Sequence, residues 1–135
     1  MDVRLLSVYR GTIWHVVAFE VDDECPTKTY LEYAEEKNRK ERDRLMARIK
    51  MVADVPQFRN REIFNHEGDG IFVFKTHADG LRLYCFYDEG RLIVTVNGVD
   101  KPKKKQQQKD IAAARKWRDR YNNAKKAVAG IKIHL

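Results

Sequence analysis

The chain predicts an α+β sandwich, and three observations carry that prediction. A run rich in β-branched and aromatic residues, TIWHVVAFEV, precedes two stretches with helical spacing. Three further strand-like runs then follow one another across two short turns. A basic segment with helical spacing comes last. The predicted order is β-α-α-β-β-β-α, with helices packed on one face of a largely antiparallel sheet and the other face open for a ligand.

The first strand spans Thr12 to Val21 and ends at the acidic cluster Asp22, Asp23 and Glu24. Pro26 then stands just ahead of a helix start, with Thr27 or Thr29 as the cap. Tyr30, Leu31 and Ala34 give that helix a short apolar face, and Asn38 marks a break before a second helix. There, Leu45, Met46, Ile49, Val52 and Ala53 share one face, while Arg39, Lys40, Arg42, Arg44, Arg48 and Lys50 occupy a solvated one. Val55-Pro56 stops the helix.

The stretch from Gln57 to Asp69 reads as an irregular connector ending in the turn Gly68-Asp69-Gly70. Strands follow at Ile71 to Thr76, Leu81 to Tyr87 and Arg91 to Val99. Their connections, Ala78-Asp79-Gly80 and Asp88-Glu89-Gly90, are short enough to make them antiparallel neighbours. The closing helix begins near Lys105, with Ile111, Ala114, Trp117 or Arg118, and Tyr121 on its inner face. Val128 to Leu135 is apolar enough for a short extra strand or a docking segment.

With 135 residues, one domain over 1–135 is expected, its core about 13–121 and its C-terminal extension 122–135. No apolar run approaches the roughly 20 residues needed to span a bilayer. The N-terminal stretch lacks a secretory pattern, and Cys25 and Cys85 form no CxxC pair. A reduced, cytoplasmic setting is therefore expected.

The formal net charge of +7 is unevenly placed. Residues 101–126 hold eleven Lys/Arg against two Asp/Glu, and the remainder is slightly acidic. Such a face suits a polyanion, with an acidic protein segment as the second candidate. A solvated basic helix is the competing reading.

Alternation along the strands sets Ile71, Val73 and Lys75 on one side and Phe72, Phe74 and Thr76 on the other. Arg82, Tyr84 and Phe86 likewise oppose Leu83, Cys85 and Tyr87. Lys75 and Arg82 flank one hairpin and, with the right register, share a side of the sheet; Lys101 follows the last sheet strand. Clustered cations can neutralise charge that grows on a phosphate during in-line attack. A lysine with a lowered pKa can also move protons. His77, beside Lys75, and His66, in the connector, are candidate acids or bases, with ordinary surface histidines as the alternative. Tyr84 and Trp117 are candidates for stacking on bases, although Trp117 better suits the core. No histidine has metal-ligand spacing, and no cofactor fingerprint occurs, so no metal or cofactor is expected.

The segment GIFVFKTHADGLRLYCFYDEGRLIVTVNGVDKPKKK, followed by a basic Ala-rich helix, resembles the RelE/ParE superfamily of toxins. It is most similar to the phage-derived HigB-like branch, and CPTKTYLEYAEE with the helix ending near Val55 also fits. The resemblance implies a RelE-like sandwich and the toxin of a type II toxin–antitoxin pair. It implies a metal-independent, ribosome-dependent mRNA endonuclease in which the RNA 2′-OH attacks the adjacent phosphate. By position, Arg82 matches the arginine on the scissile phosphate, Lys75 a proton carrier or charge stabiliser, and Lys101 a further cation. Lys103, Lys104, Lys105, Lys109 and Arg115 would dock on ribosomal RNA. The implied partners are mRNA, the ribosome and a helix-turn-helix antitoxin.

Several positions depart from that pattern. Val73 replaces a second lysine, Phe74 a frequent glutamate, and Gln106 to Gln108 the Thr-Pro that opens the last helix. No Tyr or His stands just after the lysine cluster to protonate the leaving oxygen. Two other classes compete with the enzyme: a non-catalytic RNA- or protein-binding module on the same fold, and a ParE-like gyrase inhibitor.

Overall fold

The computed structural model describes residues 2–100, 103–128 and 131–134. Its elements run β1 (Val3–Arg10), β2 (His15–Val21), α1 (Pro26–Lys37), α2 (Arg39–Ala53), β3 (Phe64–Gly68), β4 (Ile71–Lys75), β5 (Arg82–Asp88), β6 (Leu92–Val99), α3 (Lys104–Ala127) and β7 (Ile133–His134). The α+β sandwich is the observed architecture, built on one seven-stranded sheet of order β3-β4-β5-β6-β2-β1-β7. Its pairs are antiparallel except β2 with β6 and β1 with β7.

The helices occupy both faces, which corrects the one-faced layering expected from sequence. On one face α3 lays Ile111, Ala114, Tyr121 and Ala124 over Val17, Phe19, Val73, Tyr84 and Val94. On the other, α1 and α2 press Tyr30, Ala34, Leu45, Ile49 and Val52 onto Val16, Phe74, Leu83, Cys85 and Ile93. The strands therefore bury side chains in both directions.

Local chemistry explains most boundaries. Asn38 closes α1 through its N–H to the Ala34 carbonyl and caps α2 by accepting from the Glu41 N–H at 3.2 Å. The cap position of α1 is Cys25, not a threonine, and its side chain makes no capping bond. Thr27 is instead buried, donating to the Val96 carbonyl at 2.6 Å and so tying α1 to β6. In the β4–β5 turn, Thr76 Oγ1 accepts from the Leu81 N–H at 2.9 Å. A Cβ on Gly80 would lie 1.9 Å from that oxygen, so the turn requires glycine.

Two strands differ from the sequence reading. β1 lies ahead of the first strand predicted, pairs antiparallel with β2 and contributes Leu5 to the core. β3 forms inside the presumed connector. Its FNHEG run has little strand propensity of its own and takes its register from β4, with a bulge between His66 and Gly68. The C-terminal tail supplies the short β7, parallel to β1.

Candidate functional site

Lys75, the last residue of β4, and Arg82, the first of β5, are direct cross-strand partners. Both face α3. The pairing around the Thr76–Leu81 turn resolves the register that alternation alone left open. Arg82 is only 8% exposed. Its Nη2 donates to the Ala78 carbonyl at 3.2 Å, its Nη1 lies 3.9 Å from Glu67 Oε1, and its buried Nε has no partner among the described residues.

Two like charges held side by side, half out of water, should disfavour one another. Lys75 shows this. Its pKa is lowered from the ordinary lysine value, first by burial and then by the Arg82 charge, with Glu67 and Glu62 opposing. An amine so placed gives up its proton more readily than a surface lysine.

The neighbouring groups are carboxylates and amides. Glu67 lies on the same side of β3 as Asn65, the partner of Val73, and Asn65 Nδ2 donates to its Oε1 at 3.2 Å. On α3, the buried Asp110 accepts at Oδ1 from Gln106 Nε2 at 3.2 Å, and its backbone carbonyl accepts from Asn97 Nδ2 at 3.1 Å. Asp110 Oδ2 and Asn97 Oδ1 are buried without partners among the described residues. A polar seam thus separates the first turns of α3 from β6, whereas the rest of the helix sits on apolar residues.

Tyr84 lies in this seam and is 1% exposed, so it offers no surface to a base. Burial foremost pushes its hydroxyl up to about 12, while the Arg82 charge pulls the other way.

A profile of the family described as phage-derived protein Gp49-like (DUF891) matches residues 32–119. The chain belongs to this Gp49-like family. The family is toxin-like, and such a family suggests an antitoxin partner. No curated protein and no solved structure matches the chain. The matched span runs from α1 into α3 and contains Lys75, Arg82, Glu67 and Asp110.

The other residues singled out in this Gp49-like chain fall elsewhere. Lys101 lies outside the described residues. Lys103, Lys104, Lys105 and Lys109 are exposed at the start of α3, where the Lys103 cap position makes no side-chain bond. Arg115 is partly engaged, with Nε 3.4 Å from Asp69 Oδ2, an oxygen that also meets Arg118 Nη2 at 2.8 Å. Trp117, not Arg118, joins the inner face of α3, edge-on to Phe19 at 6.2 Å. His77 turns to the opposite layer, its Nε2 3.4 Å from Glu41 Oε2 on α2, so it does not join Lys75 and Arg82. His66 also lies on that opposite face, with its ring 4.7 Å from Phe72.

The departures at Val73 and Phe74 become intelligible as packing. Val73 is fully buried beneath α3, and Phe74 is fully buried in the other core against Phe64. Asp110 was within reach of sequence reasoning, since it stands four residues before Ala114 on the inner stripe. Glu67 was not, because its position depends on a strand that β4 induces. Among the described residues no group of three or more His, Cys, Asp or Glu could hold a metal ion. No helix among them is long and apolar enough to cross a membrane.

Proposed function

We propose that this Gp49-like chain is the toxin of a toxin–antitoxin pair and acts as a ribosome-dependent mRNA endonuclease of the RelE/HigB kind. The observation that carries the reading is the cross-strand Lys75–Arg82 pair, in which burial and a neighbouring cation lower the lysine's pKa. The RNA 2′-OH attacks the adjacent phosphorus, the new 2′-O–P bond forms, and the P–O5′ bond breaks. Arg82 neutralises the charge gathering on the phosphate oxygens. Lys75 carries protons, its lowered pKa letting the amine exchange them more readily than an ordinary lysine. The exposed lysines opening α3, with Arg115 and by sequence position Lys101, hold RNA phosphates and position without cutting. A helix-turn-helix antitoxin is the proposed protein partner.

Induced expression should arrest growth and deplete ribosome-bound message, and Arg82→Ala should relieve both. Normal growth with intact message at high expression of the wild-type chain would overturn the enzyme reading. The small exposure of Arg82 favours one alternative, a module that binds RNA without cutting it. Salt-sensitive RNA binding with no cleavage product selects that alternative.

A further inference from the structure

The face opposite Lys75 and Arg82 carries a second feature. Beside the edge strand β3 lies an open cavity of about 730 Å³, bounded by Phe64, Phe72, Tyr87, Arg59 and Arg61 among others. Phe64 and Phe72 stack with centroids 5.3 Å apart, and Tyr87 meets Phe72 edge-on at 4.9 Å. Core packing accounts for Phe64, which is buried. Tyr87 packs against Phe72, Phe64 and, at 4.8 Å, Trp14, yet 39% of it stays exposed at the cavity. Arg59 and Arg61 are exposed at the rim. None of the residues lining this cavity is acidic. The cavity between the helix pair and the β4–β5 turn, by contrast, is lined by Glu41, Asp79 and Asp100.

We propose that the cavity beside β3 binds a base of a single-stranded nucleic acid, with Tyr87 as the stacking surface and Arg59 and Arg61 on the flanking phosphates. Each part has a physical reason. Every base has a π face, so an exposed ring on a rigid strand can hold one without reading its identity. Arginine's planar fork pairs with phosphate oxygens in two-point geometry. The lack of a carboxylate in the lining removes the group that would repel a phosphate. An acidic peptide would satisfy the arginines but would leave the exposed part of Tyr87 uncovered. The inference does not depend on Lys75 and Arg82, which lie across the sheet.

The test compares two fluorescently labelled oligomers of equal charge, hexaadenylate and an abasic sugar-phosphate hexamer, by anisotropy titration. Wild type should bind the base-bearing oligomer about tenfold more tightly, the scale of a single stacked base. Tyr87→Ala should abolish that preference and Tyr87→Phe should keep it, with circular dichroism showing both variants folded. Arg59→Ala with Arg61→Ala should weaken both oligomers alike. Equal affinity for the two oligomers, or a preference that survives Tyr87→Ala, overturns the proposal. So does hexaglutamate binding as tightly as hexaadenylate in a Tyr87-dependent way, because the occupant would then be a protein segment. The readout is binding, so failure of the cleavage reading leaves this result unaffected.

Discussion

The two layers flanking the sheet are built differently, although the same strands line both. Beneath α1 and α2 a hydrocarbon cluster covers the middle of the sheet: Phe74, Leu83, Cys85 and Ile93 meet Leu45, Ile49 and Val52. Beneath α3 an apolar patch gives way, toward the helix start, to Lys75, Arg82, Glu67, Asn97 and Asp110. The first layer leaves Glu41 Oε2, Arg42 Nε and Arg48 Nε, all on α2, without hydrogen-bond partners among the described residues. The other leaves Arg82 Nε, Asn97 Oδ1 and Asp110 Oδ2 without partners among the described residues. Buried polar atoms of that kind cost stability; in the first layer they come from the helix alone, and in the second from strands as well, beside the Lys75–Arg82 pair. The first layer holds an apolar cluster beneath two helices, and the second holds the residues of the proposed site.

The largest expected effect lies in the hydrocarbon layer. Phe74→Ala should cost about 3–5 kcal/mol, read as a lowered urea midpoint, because the vacated volume sits among Phe64 and the α2 side chains. Arg82→Ala should cost less in the same assay yet lower the cleavage rate by about 10²–10³-fold. A destabilisation by Arg82→Ala equal to that of Phe74→Ala would erase the distinction between the layers.

A subtler prediction concerns Lys75. Its pKa in the folded protein is depressed, so between that value and the ordinary lysine value the unfolded chain binds more protons. The cost of the half-buried ammonium is therefore present below the folded pKa and is relieved as pH rises through it. Glu67→Gln removes a charge that raises Lys75, so Lys75 should titrate lower still, as followed by NMR of its side chain. An unchanged or higher titration would show that Glu67 does not act on the site. Smallest of all, replacing Lys103, Lys104 and Lys105 together by alanine should leave stability nearly intact. It should reduce the magnitude of the salt slope of single-stranded RNA binding by about 2; an unchanged slope would remove these lysines from the docking surface.

The parts of the fold that sequence reveals are those whose own residues enforce them. β4, β5 and β6 are short apolar runs rich in β-branched and aromatic residues, and Gly80 and Gly90 punctuate them, so their order and the Lys75–Arg82 hairpin were legible. The break at Asn38 was legible because one side chain caps a helix there. β1 was missed because Arg4 and Ser7 interrupt its pattern; in the fold, Arg4 Nε donates to Glu20 at 2.6 Å and Ser7 meets His15 at 2.8 Å. β3 was missed because it borrows its structure from β4, and Glu67 went with it. The two-sided burial of the sheet was half visible. Both Val73 and Phe74 are apolar, which already argues for hydrophobic cover above and below β4. His77 shows the limit of adjacency in sequence, since one turn sends it to α2 and away from Lys75.

The central claim is that the α3 side of the sheet cuts RNA with Lys75 and Arg82. The most direct measurement is to incubate the purified chain with ribosomes paused on a defined message and to characterise the new RNA ends. The account predicts a 2′,3′-cyclic phosphate on one fragment and a 5′-hydroxyl on the other, with both products reduced at least a hundredfold by Arg82→Ala. Intact message, or cleavage undiminished in Arg82→Ala, would contradict it.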